Sequence, residues 1–519
     1  HPCVSVTPFV ERAVALATTL AAHCGARLAA IELDGTADAC GCHACAEAFR
    51  TWLEARHGSV QALEQAWGGQ AMGEPLDELT QVSPPPHGHP WPALRLDFER
   101  FRSAQAAAFL QRLRDAIGAH APALPVWVRF GPRLPATDPF ALAACADATA
   151  SSTLPLPWCE RAGLHTSPRK GHPDVAAFHH DLYRGAGRGH WWESGLQCGL
   201  AQGAAWRVVP AAGMVRLWTW EAIAHGAEGV MFAPWRERPD ASGLLTADGE
   251  TDQGWADASR VARELEFVPP GAARRAAVAL LFDAEARWVL DIEPWGIDDA
   301  YTRLLFDFYA ALRQLGLDVD IVSAESMPPH AVVVAPSLPV WRLPRSGFVA
   351  EGQGLVVGPR TATRTPHMGV DGRGIGEGRG RLRTLRGESL PGPLQDEVAW
   401  QGQRYPVGPW REWMAGDTVP TARFDDGEGA VHEAAGVYRI GFWPTLPFLV
   451  DYLESVCARH GIDTVRTGPT LRLRRRGDLT FAFNHADEAV AVSAPPDAAF
   501  FLGSRDVTGR AVTAWRLRS

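Results

Sequence analysis

The sequence predicts an α/β protein built in three parts, and three observations carry that reading. Over residues 1–270 short apolar runs alternate with amphipathic helical segments, the pattern of a parallel sheet or barrel. The stretch FVPPGAARR at 267–275 is a Pro/Gly/Arg linker, and a second α/β unit follows it. From residue 464 onward the chain alternates apolar and polar residues like antiparallel strands, the mark of a small β-domain. The expected domains are therefore 1–270, 274–462 and 464–519.

In order along the chain, Thr7–His23 reads as a helix, with Val10, Val14, Leu16, Ala17 and Leu20 at helical spacing. LAAIEL is a short strand. Cys45–His57 is a helix with Phe49, Trp52 and Leu53 on one face, and Phe98–Ala119 is a long amphipathic helix. PVWVRF, ADATASS, GHWWES and GVMFAPW read as strands, with helices such as Val215–Ala224 between them. In the second unit AVALLFD, AVVVAPS and GLVVGPR read as strands and Tyr301–Leu315 as a helix, while 365–395 reads as a Gly- and Arg-rich loop.

At 519 residues the chain calls for two to four domains. Its 46% hydrophobic and 21% charged residues are those of an ordinary globular protein. A net charge of −9 argues against a nucleic-acid partner or an anionic membrane surface. No apolar run approaches the roughly 18–20 residues of a membrane span, and no secretory signal is visible, so a cytoplasmic protein is expected. Lys170 is the only lysine, which makes any single arginine a weak functional hint. The chain opens His1-Pro2-Cys3, without Met, and reads as lacking an upstream segment.

Nine cysteines, unevenly spread, do not form a disulfide scaffold. Three of them make the run Cys40-x-Cys42-x-x-Cys45. A loop of this spacing folds three thiolates around one ion but needs a fourth ligand to close a tetrahedral zinc site. By spacing alone, ordinary thiols are an equal reading.

CGCHACAEAFRTWLEARHGSVQALEQAWG resembles the segment after the fourth barrel strand of glycoside hydrolase family 42, the β-galactosidases. DPFALAACAD, FHHDLYRGAGRG and GMVRLWTWEAIAHGAEGV resemble that family in the same order. YTRLLFDFYAALRQLGLDVDIVSAES resembles its second domain, and LRLRRRGDLTFAFNHADEAV its third. The resemblance implies a (β/α)8 TIM barrel, of which this chain carries strands four to eight. A flavodoxin-like trimerisation domain and a small C-terminal antiparallel β-domain follow. It also implies a structural Zn2+ held by Cys3, Cys40, Cys42 and Cys45, and a homotrimer. His179 and His180 are adjacent on a helix, point in different directions and read as structural.

A retaining glycosidase needs two carboxyl groups about 5 Å apart, one to protonate the leaving oxygen and one to attack the anomeric carbon. In a barrel they stand at the carboxyl ends of strands. The resemblance puts the acid/base after strand four, where AAIELDGT offers Asp34 and Glu32 but no Asn-Glu pair. It puts the nucleophile after strand seven, where the aligned position is Gly195 and Glu193 lies two residues earlier. Other sugar-contacting positions of the family fall on Gly243, Thr246, Arg129 and the run 151–154, none with the family's residue. Trp206 is the candidate sugar platform. Two expectations follow. One is a retaining β-galactosidase with Asp34 as acid/base and Glu193 as nucleophile, acting on terminal β-D-galactosides. The other is a non-catalytic homologue serving as a sugar-binding or oligomeric scaffold.

Overall fold

The computed structural model of the chain describes residues 3–36, 38–68, 76–131, 133–156, 167–201, 207–268, 274–325, 328–343, 349–376, 381–392 and 394–517. The first part opens with α1 (Thr7–Cys24) and strand β1 (Ile31–Asp34). A long connection then holds α2 (His43–His57), α3 (Val60–Ala66) and α4 (Pro92–His120). It continues through β2 (Val126–Phe130), α5 (Pro139–Ala143), β3 (Ala148–Ser151), α6 (Val175–Ala186), β4 (Trp191–Gln197), α7 (Met214–Ala224), β5 (Val230–Ala233) and α8 (Gln253–Glu264). The five strands pair in sequence order, all parallel, as in the wall of a barrel.

Strands β1, β2 and the start of β4 alternate between a covered face and a more open one, while β3 is buried on both. Leu33, Val128 and Phe130 face the helices and are buried, because α4 and α6 lay their apolar stripes there. Phe130 stacks on Tyr183 of α6 at 4.6 Å. The alternate residues Glu32, Asp34, Trp127, Arg129 and Trp192 are exposed or half-buried. Trp127 and Trp192 stack on one another at 4.7 Å on that open face. Helix α4 begins six residues before the expected Phe98, because Pro92 suits the first helical turn and lacks the N–H that a helix start leaves unpaired.

The second part is larger than its sequence pattern indicates. Strands β6 (Val278–Phe282), β7 (Val319–Ser323), β8 (Val332–Ala335) and β9 (Gly354–Val357) are parallel, with α9 (Ala284–Ile292) and α10 (Ala300–Gln314) between β6 and β7. An antiparallel extension follows, comprising β10 (Leu382–Ser389), β11 (Glu397–Trp400), β12 (Gln403–Gly416), β13 (Pro420–Phe424) and β14 (Gly429–Ala434). Strand β15 (Val437–Ile440) then returns parallel to β9, β16 (Phe442–Pro444) pairs with β12, and α11 (Leu446–Arg459) packs on α10. The strand order β15-β9-β8-β6-β7 is that of a flavodoxin-like sheet. The expected loop over 365–395 is corrected: β10 lies within it and pairs with β12. Its side chains are mostly exposed and arginine-rich, so no apolar alternation marks it; backbone pairing and Arg386 lying over the Trp413 ring hold it instead.

The third part is antiparallel: β17 (Leu471–Arg476), β18 (Leu479–Asn484), β19 (Val490–Ala491), β20 (Ala498–Leu502), β21 (Asp506–Val507) and β22 (Ala511–Leu517). Buried charge fastens it to the rest. Arg472 makes two 2.6 Å bonds to Asp174 just before α6. One α6 carboxylate, Asp181, accepts from Arg184, His225 and the Tyr309 hydroxyl, and so joins the first part to α10 of the second. Among the described residues, no helix is long and apolar enough to cross a membrane.

Candidate functional site

The cysteines come together. Cys3 lies before α1, Cys40 in the loop after β1, Cys42 at the N-cap of α2 and Cys45 in its first turn. Their four sulfurs lie within 4.8 Å of one another. Cys3 and Cys45 are 3.1 Å apart, Cys42 and Cys3 3.9 Å, and Cys42 and Cys45 3.8 Å. Four thiolates at about 2.3 Å from one tetrahedral ion stand about 3.8 Å from each other, so the donor set fits zinc. Burial pushes the Cys3 thiol up to about 12. At Cys45 burial is outweighed by surrounding hydrogen bonds, including the backbone of Gly41 and Cys40, and the thiol is drawn down to about 7. The N-terminus of α2 adds a favourable field for thiolate. The other described cysteines are free and are not part of the group.

Glu193 on β4 is fully buried and faces the helices. Its carboxylate accepts from Ser151 Oγ at 2.7 Å, Thr153 Oγ1 at 2.6 Å, Thr153 N–H at 3.0 Å and Gly195 N–H at 3.3 Å. His180 of α6 lies 3.8 Å away and stacks on Trp191. Burial pushes the acid up to about 7, and the hydroxyl and N–H donors offset only part of that. The positions 151–154, which depart from the family pattern, thus supply two of this carboxylate's partners.

Asp34 stands at the carboxyl end of β1 on the opposite, open face, level with Arg129. Its Oδ1 accepts from the Thr36 N–H at 3.0 Å and hydroxyl at 2.8 Å. Glu32, two residues back on that face, lies 3.8 Å from Arg129. β1 and β4 are three strand spacings apart, about 14 Å along the sheet, so their carboxyls meet only if both project from the concave, open face. Glu193 projects from the other. The expected pairing of Asp34 with Glu193 is therefore corrected: alternation along β4 gives Trp192 and Ser194 the open face and turns Glu193 under the helices. A register break between Glu193 and Leu196 brings Gly195 against Ser152, and a Cβ there would come within 2.5 Å of the Ser152 hydroxyl oxygen.

Trp206 lies outside the described residues. Sequence reasoning missed Trp235, which follows β5 at the same end of the sheet as Asp34, is 58% exposed and meets Trp255 edge-on at 5.8 Å. The signal was the tryptophan that closes GVMFAPW, where the proline before it ends the strand. Gly243 packs against the Arg236 backbone and Thr246 Oγ1 accepts from Glu250 N–H; neither supplies a charged group. His179 bonds the Val175 carbonyl and stands outside the cysteine group, which alone among the described residues gathers potential metal ligands.

Residues 1–268 match the β-galactosidase model of glycoside hydrolase family 42, and residues 276–463 match the β-galactosidase trimerisation domain. The β-galactosidase of Thermus thermophilus is 38% identical over 541 residues, covering 99% of this chain and 84% of that protein. The β-galactosidase structure from the psychrophilic Marinomonas ef1 superposes with a TM-score of 0.90 at 27% identity, over 99% of this chain and 84% of that one. The β-galactosidase structure from Halorubrum lacusprofundi gives 0.89 at 25% identity, over 99% and 83%. A five-stranded barrel wall, a flavodoxin-like second unit and these chain-long likenesses together make the chain a member of glycoside hydrolase family 42, the β-galactosidases.

Proposed function

We propose that the chain hydrolyses terminal β-D-galactosides. The sugar enters at the carboxyl ends of β1–β5, with Asp34 as acid/base and Trp235 as an apolar platform. The observation that carries this reading is the 38% identity to a β-galactosidase over 99% of the chain. Asp34 is exposed, and its neighbour Thr36 donates to one oxygen and leaves the other for a leaving group. Glu193 serves this site as a buried brace between β3 and β4. Zn2+ in the four-thiolate group is structural, since four protein ligands leave no coordination position for water. The fit of the sulfur spacing to a tetrahedron supports it. A homotrimer built through residues 276–463 is supported by the match to a trimerisation domain.

One observation favours a second reading, a sugar-binding or oligomeric scaffold: no carboxylate of β4 reaches the open face. Hydrolysis of an aryl β-galactoside by the wild type, Asp34→Asn and Glu193→Gln separates the two. The proposal expects Asp34→Asn to lose about 100-fold or more in rate with unchanged folding, and Glu193→Gln to keep turnover. No turnover by a folded wild type makes the scaffold reading correct. Turnover lost in a folded Glu193→Gln means that β4 shifts to bring Glu193 to the open face.

A further inference from the structure

The second unit holds a crevice that galactoside hydrolysis leaves without a role. In the order β15-β9-β8-β6-β7 the chain leaves β6 first to one side, for β7, and then to the other, for β8. Open sheets of this kind bind small molecules outside the carboxyl ends of their strands, near such a reversal. Here that place is a crevice of about 260 Å3. Asp283 follows β6, Ser323 ends β7 with Ala324 and Glu325 just beyond it, Arg342 arrives from beyond β8, and Asp138 reaches in from the first part of the chain.

The lining is one-sided in charge. Asp138, Asp283, Glu285 and Glu325 face a single lining cation, Arg342. Arg342 pairs with Asp283 at 2.6 Å and Glu285 at 3.1 Å, and Glu285 is also held by Arg100 at 2.7 Å. Asp283 is only 4% exposed. Its Oδ1 takes the Glu285 N–H and Arg342, while its Oδ2 has no hydrogen-bond partner. A buried carboxylate oxygen without a donor is costly, and a ligand that donates to it removes the cost. Burial, with Asp283 and Glu325 close by, pushes Asp138 up to about 6, so these acids repel one another. Their oxygens nevertheless do not converge as ion ligands do; among the described residues only the four cysteines form such a group. Phe282, Ala324 and Trp288 add an apolar wall, which an organic molecule uses and a bare ion does not.

We propose that this crevice binds a small primary ammonium compound. Its N–H groups donate to Asp283 Oδ2, Asp138 and Glu325 supply counter-charge, and Trp288 covers its carbon skeleton. Because Asp138 belongs to the first part of the chain and the other acids to the second, the bound ligand ties the two together and raises thermal stability.

Putrescine is the probe, titrated into the full chain by calorimetry and thermal unfolding, with magnesium chloride and sodium chloride at matched ionic strength. The wild type is expected to bind it saturably, one per chain, with a rise in Tm that neither salt reproduces. Asp283→Asn should weaken binding about tenfold or more by removing a charge-assisted hydrogen bond. Glu325 is exposed at the rim, so Glu325→Gln should weaken binding about two- to fivefold without disturbing the fold, even if Asp283→Asn fails to fold. Absence of saturable binding to the wild type overturns the proposal. An equal response to magnesium overturns it too, as does undiminished affinity in Glu325→Gln.

Discussion

Replacing Glu193 by Gln tests whether this carboxyl reacts or braces. Burial raises the acid from its ordinary 4.5 to about 7. The unfolded chain loses the proton near the ordinary value. Between these pH values, then, the native state holds a proton that the unfolded state has given up. The contribution of this group to stability is fully present below about pH 4.5 and falls as pH rises to about 7, by about 3 kcal/mol over the window. Gln has the same shape and no proton to lose. Its amide donates to the Ser151 and Thr153 hydroxyls, which also accept, while its oxygen keeps the two backbone N–H bonds. Urea unfolding of both proteins across this window is the assay. The variant is expected to gain on the wild type by about 3 kcal/mol between the low and high ends. Parallel pH profiles would refute the raised, secluded carboxyl, and loss of galactoside turnover in a fully folded variant would refute the bracing role.

Other predictions concern parts of the molecule that can be perturbed separately. Purified chain should carry one zinc by elemental analysis. Cys45→Ser should abolish it and cost several kcal/mol of stability, as ligand loss does in structural zinc sites, while chelation should lower Tm before it lowers turnover. Arg472→Ala leaves the fully buried Asp174 carboxylate unpaired, so unfolding stability should fall by about 3–5 kcal/mol in a denaturant titration. Asp97 is buried but held down to about 2 by His57, Arg100 and the Trp67 N–H. Its contribution is present above the ordinary 3.8 and is lost as pH falls towards 2, so Asp97→Asn should remove about 2 kcal/mol from the acid limb of the stability profile. Phe49 is fully buried against Trp52, Phe98 and Phe101, and Phe49→Ala should cost about 3–5 kcal/mol by calorimetry.

The two chemistries of this protein were unequally legible. Three members of the cysteine group lie within six residues of one another and mark a loop that can gather thiolates, while Cys3, far earlier in the chain, is named only through the family resemblance. The carboxylates could not be read in the same way. Glu193 stands close in sequence to the position a nucleophile would take, but a strand sends neighbouring side chains to opposite faces. A shift of one residue therefore reverses the answer, and only the packing of His180, Ser151 and Thr153 around Glu193 shows which face it took. Strand β10 was missed for a related reason. Its side chains face water, so no apolar period exists to find, and the pairing that makes it a strand lies in the backbone of β12.

The sequence by itself determined the three-part α/β order, the long helix α4 and the close run Cys40, Cys42 and Cys45, because periodicity and close spacing are local properties. The tertiary structure alone decided the face on which each carboxyl lies, the antiparallel extension of the second unit and the acidic crevice at Asp283. Those depend on residues far apart in the chain, such as Asp138 and Arg342 or Asp174 and Arg472, whose meeting is set by how whole elements pack and not by any pattern within one of them.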